Sequence, residues 1–267
     1  MKKLFTAAAA ALLAAAFVSC SKKAAPDNSL EALKERGVFV LGLDASFPPM
    51  GFTDDDGNIV GYDIDLAKEV ASRLGVEFKA QPIDWDAKEM ELSSGNIDCI
   101  WNGFTITDER KEKLEMTKPY LNNDQVLVVK NNSGISSLKD AAGKLIGVQR
   151  GSSAQEAIED NEEFATSIKE TVLYPENLIA LNDLEIGGVD GVVMDSVVAS
   201  YDITTSNKPL VLVSEVLANE AYGVGFRKGE VKLCNEVQRI LEEMAADGTV
   251  AAISTKWFGS DISVIGK

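Results

Sequence analysis

The chain has 267 residues, 45% of them apolar, with three cysteines, no histidine and a formal net charge of −16. That length supports one large or two small domains with a proper core, and the missing histidine excludes Ser-His-Asp and Cys-His centres and His-ligated zinc or haem. The acidic balance argues against nucleic acid or anionic lipid as partners, and three cysteines are too few for a disulfide scaffold.

Met1-Lys2-Lys3 is a positive start, followed over residues 4–18 by an apolar run too short to span a membrane comfortably, and then by Ser19-Cys20. Residues 1–19 read as a secretory signal. Phe17-Val-Ser-Cys20 resembles a bacterial lipobox, with Cys20 as the acylated residue. Residues 20–28 then form a lipidated tether, polar from Ser21 to Asn28. Cleavage before Cys20 removes Lys2 and Lys3 and takes the formal charge from −16 to −18.

Residues 38–43 (Val-Phe-Val-Leu-Gly-Leu) form a buried-strand run. Met50-Gly-Phe-Thr and Ile59-Val-Gly-Tyr62 are short extended pieces around the turn Asp54-Asp-Asp-Gly-Asn58. That acidic turn does not fit a calcium loop: with ligands at Asp54, Asp56 and Asn58, Ile59 stands where glycine is needed and Asp65 where glutamate is. Asp63 is expected to cap a helix that buries Ile64, Leu66, Ala67, Val70, Ala71 and Leu74 and stops at Gly75. A strand over 76–80, a helix over 86–93 ending at Gly95 and a strand over 97–101 complete a parallel α/β series. The break at 117–124 precedes an extended run, 125–130. A second series follows: strand 145–149, a helix opened by Arg150-Gly-Ser-Ser-Ala154, strand 171–174, helix 177–184 and strand 191–194. Residues 210–213 and 221–227 are extended, and helices over 231–246 and 248–258 end the chain. Cys99, on a strand, and Cys234, on a helix, are expected to be buried free thiols.

Open parallel sheets bind ligands at the carboxyl ends of their strands. Collected there are Asp44 and Phe47 after the first strand, Trp85 after the strand at 76–80, and Asn102, Gly103, Thr105 and Arg110 after the strand at 97–101. The second series contributes Gln149, Ser152, Ser153 and Asp195. The stretch Gly103-Phe-Thr-Ile-Thr-Asp-Glu-Arg110 brings a glycine turn, hydroxyls and one arginine to a helix start, an arrangement suited to a small carboxylate. Arg110 could equally be one solvated charge in Glu109-Arg-Lys-Glu-Lys113. Phe47 and Trp85 could be core residues, and Ser152 and Ser153 could simply cap a helix. Taken together, one arginine, isolated acids and two aromatics are what a zwitterionic amino acid requires.

Here the chain closely resembles the extracytoplasmic polar amino-acid-binding proteins of ABC importers, which include glutamine-, histidine- and lysine/arginine-binding members. The motifs that carry the resemblance are Asp44-Ala-Ser-Phe-Pro-Pro49, Gly61-Tyr-Asp-Ile-Asp-Leu-Ala-Lys68, Gly103 to Arg110 as quoted, Ser137-Leu-Lys-Asp140, Gly147-Val-Gln-Arg-Gly-Ser152 and Val189-Asp-Gly-Val-Val-Met-Asp195. The resemblance implies a two-lobed periplasmic-binding-protein-like fold of type II, two α/β lobes joined by a two-strand hinge. Lobe 1 would take residues 29–121 and 222–267, lobe 2 residues 126–218, and the hinge 122–125 and 219–221. It implies that Arg110 clamps the α-carboxylate with Thr105 and Ser153, and that the Gly103 backbone and Asp195 hold the α-ammonium. Phe47 and Trp85 would be aromatic walls, and Asp44 would reach the ligand side chain. Asn102 and Gln149 fall on positions that vary among members.

The expected activity is binding of a free L-amino acid, a basic one or glutamine, and its delivery to an ABC permease in the membrane. The protein would be a lipid-anchored monomer with no catalytic residues, cofactor or metal. Two other readings share the fold: a ligand-sensing protein for a membrane receptor, and an enzyme like cyclohexadienyl dehydratase.

Overall fold

The computed structural model describes residues 26–267, so the expected export signal, Cys20 and most of the tether lie outside the described residues. In the first unit, strands alternate with helices, of which α1 (Ser29–Arg36), α2 (Tyr62–Leu74) and α3 (Lys88–Ser94) each end at a glycine. The elements are α1 (Ser29–Arg36), β1 (Val38–Leu43), β2 (Ser46–Phe47), β3 (Gly51–Thr53), β4 (Ile59–Val60), α2 (Tyr62–Leu74) and β5 (Glu77–Pro82). A 3-10 turn at Trp85–Ala87 then leads into α3 (Lys88–Ser94), β6 (Cys99–Ile100), α4 (Asp108–Lys113) and β7 (Leu114–Met116). The second unit follows β8 (Leu121–Lys130) with β9 (Leu145–Gln149), α5 (Ser153–Asp160), α6 (Glu162–Ser167), β10 (Glu170–Tyr174), α7 (Asn177–Ile186), β11 (Gly191–Asp195), α8 (Ser196–Ser206) and β12 (Leu210–Tyr222). The chain then returns to the first unit through β13 (Gly225–Arg227), α9 (Val231–Ala246) and α10 (Thr249–Phe258).

Each unit is a five-stranded sheet, in the orders β5-β1-β6-β13-β7 and β10-β9-β11-β8-β12. The sheets are mixed rather than purely parallel. β1 runs parallel to β5 and β6, and β9 to β10 and β11. The crossing strands add antiparallel neighbours: β13 beside β6 and β7, and β8 between β11 and β12. Pairing of β8 with β12 runs from Lys130–Leu210 to Leu121–Tyr222, so one ribbon links the two sheets.

Several boundaries differ from expectation. The ribbon strands are longer than their apolar runs. β8 begins at Leu121, inside the expected break, and β12 runs on through 214–220, where pairing with β8 resumes at Val216 and again from Ala218 after two register shifts that an exposed, irregular pattern does not advertise. Helix α8 (SVVASYDITTS) was not expected at all. Its β-branched residues have weak helix propensity, but Val198 and Ala199 are buried and the helix packs on β8, β11 and β12. α1 and α6 were also unexpected. Asp63 does not cap α2. That helix starts at Tyr62 after Gly61, and Asp63 turns its carboxylate inward instead. Cys99 and Cys234 are both buried free thiols.

α2 and α9 bury one apolar face each, α9 through Leu233, Val237, Ile240, Leu241 and Met244. Each such side chain contributes about 1.5–3 kcal/mol on leaving water. This packing builds the first unit, and the β8–β12 ribbon joins it to the second. The acidic turn between β3 and β4 is a plain hairpin, with Asp54 Oδ1 accepting the N–H groups of Asp56 and Asn58.

Candidate ligand-binding site

Where the strand ends of the two sheets face each other there is a narrow cavity, and ten of the eleven expected binding residues line it. The eleventh, Thr105, lies beside it, its hydroxyl 3.0 Å from that of Ser153. The side chains fall into an end wall, an apolar wall, a basic corner and an acidic corner.

Asp44, Asn102 and Gln149 make the end wall. Asp44 Oδ1 accepts the N–H and hydroxyl of Ser46 at 2.9 and 2.6 Å, and Oδ2 accepts Gln149 Nε2 from the opposite unit at 2.7 Å. Gln149 is fixed in turn by Pro175 O and by Asn177 Nδ2. Asn102 Oδ1 accepts the Asp44 N–H at 3.1 Å, which leaves Asn102 Nδ2 as a buried donor without a protein partner. Phe47 and Trp85 form the apolar wall. Both belong to the core as well: Trp85 meets Phe104 edge-to-face at 6.0 Å and Phe47 joins the main cluster.

Arg110 forms the basic corner. It is not a solvated member of its charge run. Lys111 pairs with Asp108 and Lys113 with Glu109 on the surface, while Arg110 is 4% exposed. Thr107 caps α4 by accepting the Arg110 N–H, which starts the helix so that this side chain points inward. Its guanidinium lies 4.5 Å from the Phe104 ring centroid, with Nη1 on Thr105 O at 2.9 Å and Nη2 on Glu156 Oε1 of the opposite unit at 3.1 Å. Across from it, Ser152 caps α5 by accepting the Gln155 N–H and donates its hydroxyl to Gln149 O.

Asp195 and Gly103 form the acidic corner. Asp195 Oδ1 accepts Tyr222 OH and Asn123 Nδ2, both at 2.7 Å, and Gln125 Nε2 at 3.1 Å. Burial, then the neighbouring Glu220 carboxylate, raises the Asp195 carboxyl above its ordinary range. The Gly103 N–H is spent on Asp63 Oδ2 at 2.7 Å, so only its carbonyl is left to face a ligand. Gly103 has φ +57°, and a Cβ there would stand 2.9 Å from the Phe47 ring and 3.2 Å from Tyr222, so no larger residue fits without displacing that wall.

The residues behind this layer had no sequence signal for this role. Asp63 is fully buried and also accepts Tyr120 OH at 2.9 Å. Burial outweighs these bonds and pushes its carboxyl up to about 7. Lys88 lies over Trp85 and donates to Gly151 O of the opposite unit at 2.7 Å. Burial, with Arg110 nearby, lowers its ammonium to about 8. A cation at one corner, a buried acid at the other and a polar end wall match the two charged groups and the side chain of an amino acid.

The family model for bacterial extracellular solute-binding proteins, family 3, matches residues 39–260. The chain is 34% identical over 244 residues to the L-cystine-binding protein TcyJ of Escherichia coli (strain K12), covering 91% of this chain and 90% of that protein. It is similar to the crystal structure of an ABC uptake transporter substrate binding protein from Streptococcus pneumoniae with bound histidine, with a TM-score of 0.85 and 38% identity over 89% of this chain and 98% of that one. It is also similar to the structure of Tv2483 bound to L-arginine, with a TM-score of 0.84 and 30% identity over 91% and 99%. This chain belongs to family 3 of the bacterial extracellular solute-binding proteins and has their two-lobed, type II fold.

Proposed function

We propose that the protein binds a free L-amino acid outside the cytoplasmic membrane and delivers it to an ABC permease by closing its two lobes. One observation carries this reading: Arg110 and Asp195 stand on opposite units and line a single cavity. A ligand whose carboxylate takes Arg110 and whose ammonium takes Asp195 touches both units at once, and so favours the closed arrangement by its differential contacts there. Residues 122–125 and 219–221, in the ribbon that joins the sheets, serve as the hinge. Asp44 and Asp195 are each held by three hydrogen-bond donors, so binding accounts for both acids without catalysis.

The end wall constrains the ligand side chain. Asn102 Nδ2 calls for an acceptor, while the Asp44 carboxylate favours a donor or a cation. Glutamine presents both, and so does the second amino-acid head of cystine. Lysine would leave Asn102 unpaired. A thermal-shift screen over the twenty amino acids, ornithine and cystine, followed by calorimetry, tests this. A ligand at a hundred times its dissociation constant stabilises by about 2.7 kcal/mol, a rise of roughly 5–10 °C for a chain this size. The polar end wall is refuted if only small neutral or acidic amino acids shift the transition.

Cys20 is the proposed lipid attachment point. Metabolic labelling with palmitate should tag the wild type and not Cys20→Ala; equal labelling of both would remove the anchor from this account.

A further inference from the structure

The ribbon brings one carboxylate to the site that no motif announced. Glu220, on β12, accepts at Oε2 from the Thr105 hydroxyl of the first unit (2.9 Å) and the Ser153 hydroxyl of the second (3.3 Å). It also accepts from Gln125 Nε2 (2.9 Å) and Asn123 Nδ2 (3.3 Å). The same two amides donate to Asp195. Two carboxylates thus share one set of neutral donors, and among the described residues neither forms an ion pair with a lysine or arginine. Neutral donors solvate such a pair but do not cancel its charge.

A second atom points the same way. Gln125 is fully buried, its Nε2 is committed to the two acids, and its Oε1 has no donor. Two acids and one open acceptor suit a cation with several N–H groups. An ammonium, with three donors at tetrahedral angles, can meet all three, whereas a hydroxyl in its place offers one proton and no charge.

We propose that Glu220 is a ligand-binding residue, forming with Asp195 and Gln125 Oε1 a two-acid seat for the ligand's α-ammonium. This rests on the amino-acid reading above and adds to it that the strand joining the two lobes contacts the ligand itself. The site then selects an α-ammonium over an α-hydroxyl or α-hydrogen more strongly than Asp195 alone would.

Calorimetry with L-arginine, L-histidine, L-glutamine and L-cystine on the wild type, Glu220→Gln and Glu220→Asp tests the assignment. Glu220→Gln should weaken every amino acid that the wild type binds by tenfold or more, with no loss of melting temperature in the unliganded protein, because one of two like charges is gone. Glu220→Asp keeps the charge and should weaken binding less. The desamino counterpart of the tightest ligand should bind Glu220→Gln and wild type alike. Wild-type affinity for amino acids in Glu220→Gln overturns the proposal and leaves the amino-acid reading standing. So does an equal loss for the amino acid and its desamino counterpart, which would make Glu220 a positioning residue. Failure of the wild type to bind all four overturns both. Should Glu220→Gln not fold, Glu220→Asp carries the comparison, with a loss of at least threefold expected and none overturning the proposal.

Discussion

Replacing Arg110 by alanine is expected to weaken amino-acid binding by about two orders of magnitude. The guanidinium is held by Thr105 O, by Glu156 and by the face of Phe104, so its position is set before a ligand arrives. Charge-assisted hydrogen bonds contribute roughly 1.5–3 kcal/mol each, and a pair of them to one carboxylate exceeds tenfold readily. Most of the effect should fall on binding rather than on folding. Glu156, the partner left behind, is 41% exposed, and water can take over its solvation. Arg110→Lys should recover only part of the affinity, because a point charge does not reproduce the planar fork. Calorimetry with the tightest ligand decides the matter: an Arg110→Ala affinity within threefold of wild type removes this residue from the carboxylate clamp.

The second large effect is on stability against pH. The unliganded protein is expected to become less stable as pH rises from 5 to 8. The chain has no histidine, so the residues that ordinarily titrate in this window are absent. Asp63 takes their place: burial moves its carboxyl from the ordinary 3.8 to about 7, and Asp195 is raised too, by burial and by Glu220. Between 3.8 and 7 the native state holds a proton on Asp63 that the unfolded chain has released. Protons bound in the unfolded state minus those bound in the native state is then negative, and stability falls with rising pH. The contribution is complete below the unfolded value and is lost as pH passes through 7.

Each pH unit in that interval is worth about 1.4 kcal/mol per group, so Asp63 alone should lower the melting temperature by on the order of 5–10 °C across the window. Surface acids held low by their hydrogen bonds, such as Asp140 and Asp247 at about 2, finish titrating below it. Above pH 8 the buried Lys88, lowered to about 8, acts in the opposite direction and bounds the interval. Calorimetric melts at constant ionic strength measure this directly. A flat or rising melting temperature between pH 5 and 8 would show that Asp63 and Asp195 stay ionised in the fold.

Much of the scaffold was legible because its signals are local. Gly75 and Gly95 sit in left-handed conformation where α2 and α3 end, and Ser152 caps α5 at the expected turn. The apolar runs at β1, β9 and β11 are buried strands read directly from composition. The misses share a cause. β12 is held by its partner rather than by its own pattern, and α8 is a helix because it packs on the second sheet, against the preference of its β-branched residues.

The site divides along the same line. The chain by itself determined which chemistry stands at the strand ends: the glycine turn and single arginine of Gly103 to Arg110, the Ser152-Ser153 helix start, and Asp195 at the end of β11. Those are consequences of short-range spacing, so a reader of the chain can find them. Only the tertiary structure decided what those groups are free to do. Packing commits the Gly103 N–H to Asp63 and turns Arg110 away from solvent. Lobe-to-lobe contact ties Asp44 to Gln149, and strand pairing of β8 with β12 brings Glu220, from a stretch with no motif, against Thr105, Ser153 and the donors of Asp195. Charge, burial and pairing at these atoms depend on residues tens to more than a hundred positions apart, and no local pattern encodes that distance.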